Sequence, residues 1–205
     1  MATYSSIAHN FTPPSATTSA QIGAGAMTLI KTVTASDSTD ISFVHGSSDV
    51  VFDNTYKTYL FKFINLHLSS DTYLSLTGRD GGSSFDAIKT STYFRAEHKE
   101  DDSSTGFTYK TNLDVAQATG ETKLSGNTSN ADDNAYSGEL YVFNPSSTTF
   151  IKHYFGKINV ISGADGLEAG FFAGYFNHTA ALDGIKINVG TGNIASGTIK
   201  MYGIA

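Results

Sequence analysis

The chain has 205 residues, of which 40% are apolar and only 16% charged, and its formal net charge is −6. That length suits one domain with a substantial core, and the acidic balance disfavours a protein that works by neutralising phosphates, which excludes nucleic acid as the expected partner. The absence of cysteine removes both a disulfide framework and a thiolate metal site, leaving burial and subunit packing as the sources of stability.

The first 26 residues are small, polar and almost uncharged, with neither a strand nor a helix period, and read as an extended N-terminal arm. Its large apolar groups, Tyr4, Ile7, Phe11 and Ile22, are too dispersed for a private core but suit shallow pockets on a partner. Pro13 and Pro14 hold part of the arm extended, which lowers the entropy lost on docking. The opening residues have neither the basic region nor the apolar core of a signal peptide. No run approaches the ~20 apolar residues that span a bilayer, so synthesis in a cytosol and no membrane span are expected.

Residues 27–205 form the second unit. Strand signals at 27–33 and 40–45 flank a polar turn and predict a hairpin. Residues 56–68 predict a central strand with Tyr59, Phe61 and Phe63 on one face and Leu60, Ile64, Leu66 and Leu68 on the other. The stretch LTGRDGGSSFD, residues 76–86, reads as a hairpin tip whose paired glycines accept positive φ. Further strands are predicted at 91–98, 106–110, 113–118, 138–143, 149–161, 167–177, 184–189 and 197–204. Turn clusters separate nearly all of them. Roughly a quarter of the chain is Ser or Thr, aromatics are abundant and long-helix formers are sparse. The predicted fold class is therefore all-β, an antiparallel two-sheet sandwich of jelly-roll type behind the N-terminal arm.

Catalytic patterns are missing. His9, His45, His67, His98, His153 and His178 show no spacing that places two on one metal, and neither a nucleophile elbow nor a P-loop is present. No catalytic residue, metal ligand or cofactor is assigned. Asp80, Asp86, Glu97, Glu139 and Glu168 are acids that could form a glycosidase-like pair in space, yet they lie among turns and strand ends where acids are commonly solvated. The run His98-Lys99-Glu100-Asp101-Asp102 lacks the pattern of a calcium loop and reads as a solvated turn. Adjacent aromatics at Tyr93-Phe94, Tyr154-Phe155, Phe171-Phe172 and Tyr175-Phe176 point to opposite faces of a strand, so each pair feeds the core and a second surface, read as subunit contact over a sugar-stacking platform.

Two resemblances bear on function. Asp80-x-Gly82-x-Ser84-Phe85 is similar to the Asp-box turn of sialidase propellers, although no repeat accompanies it. The segments YKTYLFKFINLHLSSDTYLSLTGRDGG (56–82), SGELYVFNPSSTTFIKHYFG (137–156) and ASGTIKMYGIA (195–205) together resemble small virion structural proteins of tailed, marine podovirus-like bacteriophages, over about residues 27–205. That resemblance implies a non-enzymatic virion component, a compact tail fibre, adaptor or adhesin-like part. It implies a homo-oligomer, a trimer foremost, in contact with other virion proteins and with a host-surface glycan as a conceivable target. Capsid decoration is the alternative placement, and a carbohydrate-binding module or glycan-degrading enzyme is the alternative function.

Overall fold

The computed structural model describes residues 27–162 and 165–205. The arm, with Tyr4, Ile7, Phe11, Pro13, Pro14 and Ile22, lies outside the described residues. Twelve strands are formed: β1 (Thr28–Thr34), β2 (Asp40–Val44), β3 (Thr58–Leu68), β4 (Leu74–Arg79), β5 (Lys89–Lys99), β6 (Thr105–Tyr109), β7 (Thr122–Lys123), β8 (Tyr136–Phe143), β9 (Lys152–Ser162), β10 (Gly166–Phe176), β11 (Gly184–Val189) and β12 (Ile194–Ile204). They make two antiparallel sheets, eight strands in the order β1-β12-β3-β8-β9-β10-β5-β6 and four in the order β2-β11-β4-β7. The chain passes repeatedly between the sheets, and the fold is the expected all-β two-sheet sandwich.

Period-two alternation builds the core. On β2, β4 and β11, Phe43, Leu74, Leu76, Ile185 and Ile187 are fully buried. They belong to one cluster with Tyr59, Phe61, Leu140, Ile158, Phe176 and Ile199 of the large sheet, and Phe43 meets Phe61 edge-on with ring centroids 5.1 Å apart. Each such side chain contributes roughly 1.5–3 kcal/mol by leaving water.

Four expectations need correction. The strands β1 and β2 do not form a hairpin: residues 35–38 stay hydrogen-bonded to the backbone of β12 instead of turning back. Consequently β1 pairs with β12 in the large sheet, while β2 pairs with β11 in the small one. The glycine turn is likewise no hairpin tip. Gly81 and Gly82 do take positive φ, 103° and 74°, but they lie on a crossover from β4 in the small sheet to β5 in the large one. A single backbone bond, from Ala87 N–H to Gly78 O at 3.0 Å, closes its base.

The third correction concerns β3. The strand is central, between β12 and β8, as expected, but Leu66 and Leu68 share the core with Tyr59, Phe61 and Phe63. Asn65 adopts φ 49° at a register shift between Phe63 and Leu66. This bulge inserts one residue and inverts the face of everything after it. Ile64 is left outside. Residues 113–118 also depart from expectation, touching β5 through an isolated bridge at Ala118 rather than forming a strand.

On the inner face of the large sheet, aromatic side chains lie flat over glycines of the next strand. A Cβ at Gly170 would overlap the Tyr93 hydroxyl, and one at Gly156 would overlap the Phe172 ring. Glycine at these strand positions is there for close approach, which a side chain would block.

Candidate functional site

The smaller sheet covers only one face of the larger, so the large sheet has an inner and an outer surface. Alternation assigns the residues: on β10, Gly166, Glu168, Gly170 and Phe172 are buried while Leu167, Phe171 and Ala173 are exposed. The four aromatic pairs split as expected, with Tyr93, Tyr154, Phe172 and Phe176 inside. Of the large exposed apolar side chains among the described residues, Leu29, Ile64, Phe107, Tyr109, Phe155, Leu167 and Phe171 all fall on the outer face, and only Met27, Ile88 and Phe150 do not.

Strand register arranges this surface in rows. One row runs Tyr202, Leu60, Tyr141, Phe155, Ala173 and Thr92 across six strands. The next runs Lys200, Lys62, Glu139 and Lys157, then becomes aromatic with Phe171, Phe94 and Tyr109. Rings meet along the rows and between them: Phe94 and Phe171 stack at 5.2 Å, and Phe155 stacks on Tyr141 at 5.1 Å and on Phe143 at 5.5 Å. Phe107 leans on Phe94 at 5.2 Å. The charges are confined to the β12-β3-β8-β9 half. There Glu139 accepts from Lys62 at 2.7 Å and lies 3.4 Å from Lys157, and the Lys62 hydrogen bond holds its carboxyl below the usual range.

At one end of the aromatic half lies a groove of about 370 Å³. Phe155, Tyr175 and His153 line it together with Ala173, Gly174, Thr90 and Thr92. None of the lining residues is an acid, a lysine or an arginine. This size is at the small end of ligand pockets, roughly 300–1,000 Å³, and its surface is one that takes an apolar side chain or ring.

The acids singled out in the sequence are scattered, with one exception. Glu97 and Glu168 are cross-strand neighbours on the inner face, and Arg95 binds both. Glu168 is buried and also accepts from Tyr93 Oη at 2.8 Å and Gly126 N–H at 2.9 Å. Burial beside this carboxylate drives the Tyr93 hydroxyl far up from its ordinary pKa. Both carboxylate oxygens of Glu168 are thus engaged by the protein, an arrangement suited to fastening the 125–128 loop onto the sheet. Asp80 lies 3.5 Å from His178 Nε2, while burial pulls the pKa of His178 down. Asp86 is exposed. His98 and Asp102 contact each other at 3.0 Å in an exposed turn. Among the described residues no three His, Asp or Glu side chains are grouped to hold a metal ion.

Four features escaped the sequence reading. Phe107 and Tyr109 two apart on β6 signal a strand with one aromatic face, but only the register with Phe94 shows that the face is outward. Asp183, which receives both Nε (2.9 Å) and Nη2 (2.8 Å) of Arg79, clamps the base of the crossover. Lys89 and Lys152 are both fully buried, and nothing in their local sequence distinguishes them from surface lysines.

Comparison with protein-family models, curated proteins and solved structures finds no match to this chain.

Proposed function

We propose that this chain is a non-enzymatic structural component of a tailed-phage virion, a compact tail fibre, adaptor or adhesin-like part that works as a homo-oligomer. The observation that carries the assembly part is the concentration of exposed aromatic side chains on one half of one sheet face. Contiguous apolar patches on a soluble protein mark contact surfaces, and aromatic residues are enriched where proteins bury surface against each other. The virion assignment rests on the similarity of residues 56–82, 137–156 and 195–205 to phage structural proteins.

Purified particles test the proposal directly. Mass spectrometry is expected to find the chain in many copies, and its absence from particles overturns the assignment. Cryo-electron microscopy separates the tail placement from head decoration, because copies clustered at one vertex mean tail and icosahedrally distributed copies mean head. The competing glycan reading draws on the exposed aromatics as stacking surfaces. A glycan array and a depolymerisation assay examine it, and cleavage lost in a folded Asp80→Ala variant would replace the structural reading with an enzymatic one.

A further inference from the structure

Phe150 is the unexplained side chain. It is 68% exposed, in a loop between β8 and β9 that holds no charged residue from Asn144 to Ile151. The loop is nevertheless tied down. Asn144 N–H donates to Lys57 O at 2.6 Å, Ser147 N–H to Asn144 O at 3.0 Å, and Leu182 N–H to Pro145 O at 2.8 Å. Ser147 Oγ accepts from the N–H groups of Thr149 at 3.2 Å and of Phe150 itself at 3.0 Å. A large apolar ring is therefore presented to solvent on a backbone already fixed, so little ordering entropy is lost when something covers it.

The groove beside Phe155 and Tyr175 is the complementary feature. Its walls include Phe155, Tyr175 and Ala173, and neither it nor the Phe150 loop carries an acid, lysine or arginine; Lys57, beside the loop, is exposed and can keep its ammonium in water when the two are joined. Phe150 is not among the residues lining the groove of its own chain. The charged row of Lys200, Lys62, Glu139 and Lys157 lies outside the groove and limits the apolar contact to this end of the face.

We infer that Phe150 of one copy of this chain seats in the groove of a second copy, between Phe155 and Tyr175, and that this joint holds the homo-oligomer together. The inference rests on the homo-oligomer reading above and adds the surface. A knob and a groove at different places on one chain form a joint that can repeat head to tail and close into a ring.

Two exposed positions give the test. Phe150→Ser removes the knob and leaves the groove; Ala173→Arg fills the groove and leaves the knob. Neither reaches the core, and thermal melts by circular dichroism confirm that each variant is folded. Light scattering after size exclusion is expected to give a multiple of 21.8 kDa for the wild type and a single chain mass for each variant. Mixing the two variants is expected to restore a one-to-one complex, because one intact knob then meets one intact groove. If the wild type is oligomeric and either variant remains so, or if the mixture stays monomeric, the joint is wrong while the homo-oligomer reading stands. A wild type that is monomeric at every concentration overturns both.

Discussion

Lys89 offers a quantitative check on the packing. Its side chain is fully buried on the inner face of β5, yet among the described residues its ammonium finds only two carbonyl acceptors, Ala87 O at 3.4 Å and Thr119 O at 3.3 Å. Burial pulls its pKa from 10.5 down to about 8, with Glu121 and Asp86 opposing the fall from a distance. That fall corresponds to about 3 kcal/mol of stability given up at neutral pH to keep the charge inside. Replacement by Met conserves much of the volume and removes the charge, while abandoning two long hydrogen bonds costs about 1 kcal/mol each. Lys89→Met is thus expected to be more stable by about 1 kcal/mol at neutral pH, a melting shift of roughly +2 to +4 °C for a chain of this size.

The sign of the pH dependence follows from the same group. Between about pH 8, where folded Lys89 releases its proton, and 10.5, where the unfolded chain does, the unfolded state holds more protons. Wild-type stability therefore climbs with pH over that window. Above roughly pH 9.5 the trend reverses, because several tyrosines begin to ionise there once unfolded and together outweigh the one lysine. In the fold, burial raises Tyr59 to about 12 and the Glu121 hydrogen bond raises Tyr73 to about 12, while burial carries Tyr93, Tyr136 and Tyr154 higher still. Urea unfolding followed by circular dichroism at fixed protein concentration, from pH 7 to 11, is expected to show a maximum at roughly pH 9.5. In Lys89→Met the rise towards that maximum shrinks by about 2 kcal/mol. A variant that is less stable at neutral pH, or that keeps the full rise, refutes the reasoning.

Lys152 is the contrasting case, since its ammonium donates to His178 O at 3.3 Å, Thr179 O at 2.9 Å and Ala180 O. Lys152→Met leaves that loop without its fastening, and chemical denaturation is expected to show a loss of about 2–4 kcal/mol. Arg95→Met leaves Glu168 buried without its cation, at a cost of about 3–5 kcal/mol, and amide exchange is expected to speed up in the 125–128 loop that Glu168 holds. Gly170→Ala forces the Tyr93 hydroxyl off Glu168 and is expected to cost about 1–3 kcal/mol, whereas alanine at Gly46, with open space around its Cβ position, disturbs no packing and reports only the cost of its positive φ.

The fold was legible in the sequence because strand identity is local. Period-two patterns at 58–68, 138–143 and 184–189 and turn clusters between them are enough to locate strands. Pairing was less legible because two strands joined by a short polar turn look alike whether they fold back or cross over. For β1 and β2 the difference lay in bonds from residues 35–38 to β12, more than 150 positions away in the chain. The β3 bulge was hidden for a similar reason: Ile64-Asn65 reads as unbroken alternation until Gly197, at φ 108° opposite it, permits the backbone to pucker.

The site depends on information of another kind. Alternation states that Phe171 and Phe172, or Tyr154 and Phe155, point opposite ways, and it is symmetrical between the two faces. Which face becomes core is decided by where the four-stranded sheet lies, and that sheet is assembled from β2, β4, β7 and β11, drawn from distant parts of the chain. Once it covers Tyr154 and Phe172, their neighbours Phe155 and Phe171 stack on rings of their own sheet face and stay exposed. Their exposure is a consequence of the four-stranded sheet covering only the opposite face. At the same strands the inner face carries polar fastenings, Arg95 with Glu97 and Glu168, while the outer face is aromatic. An outer face selected only for solubility would carry charge across all eight strands, as it does at Lys200, Lys62, Glu139 and Lys157. Under the assembly proposed above, the change to Phe171, Phe94 and Tyr109 along that same row is where contact with another surface would take over from contact with water.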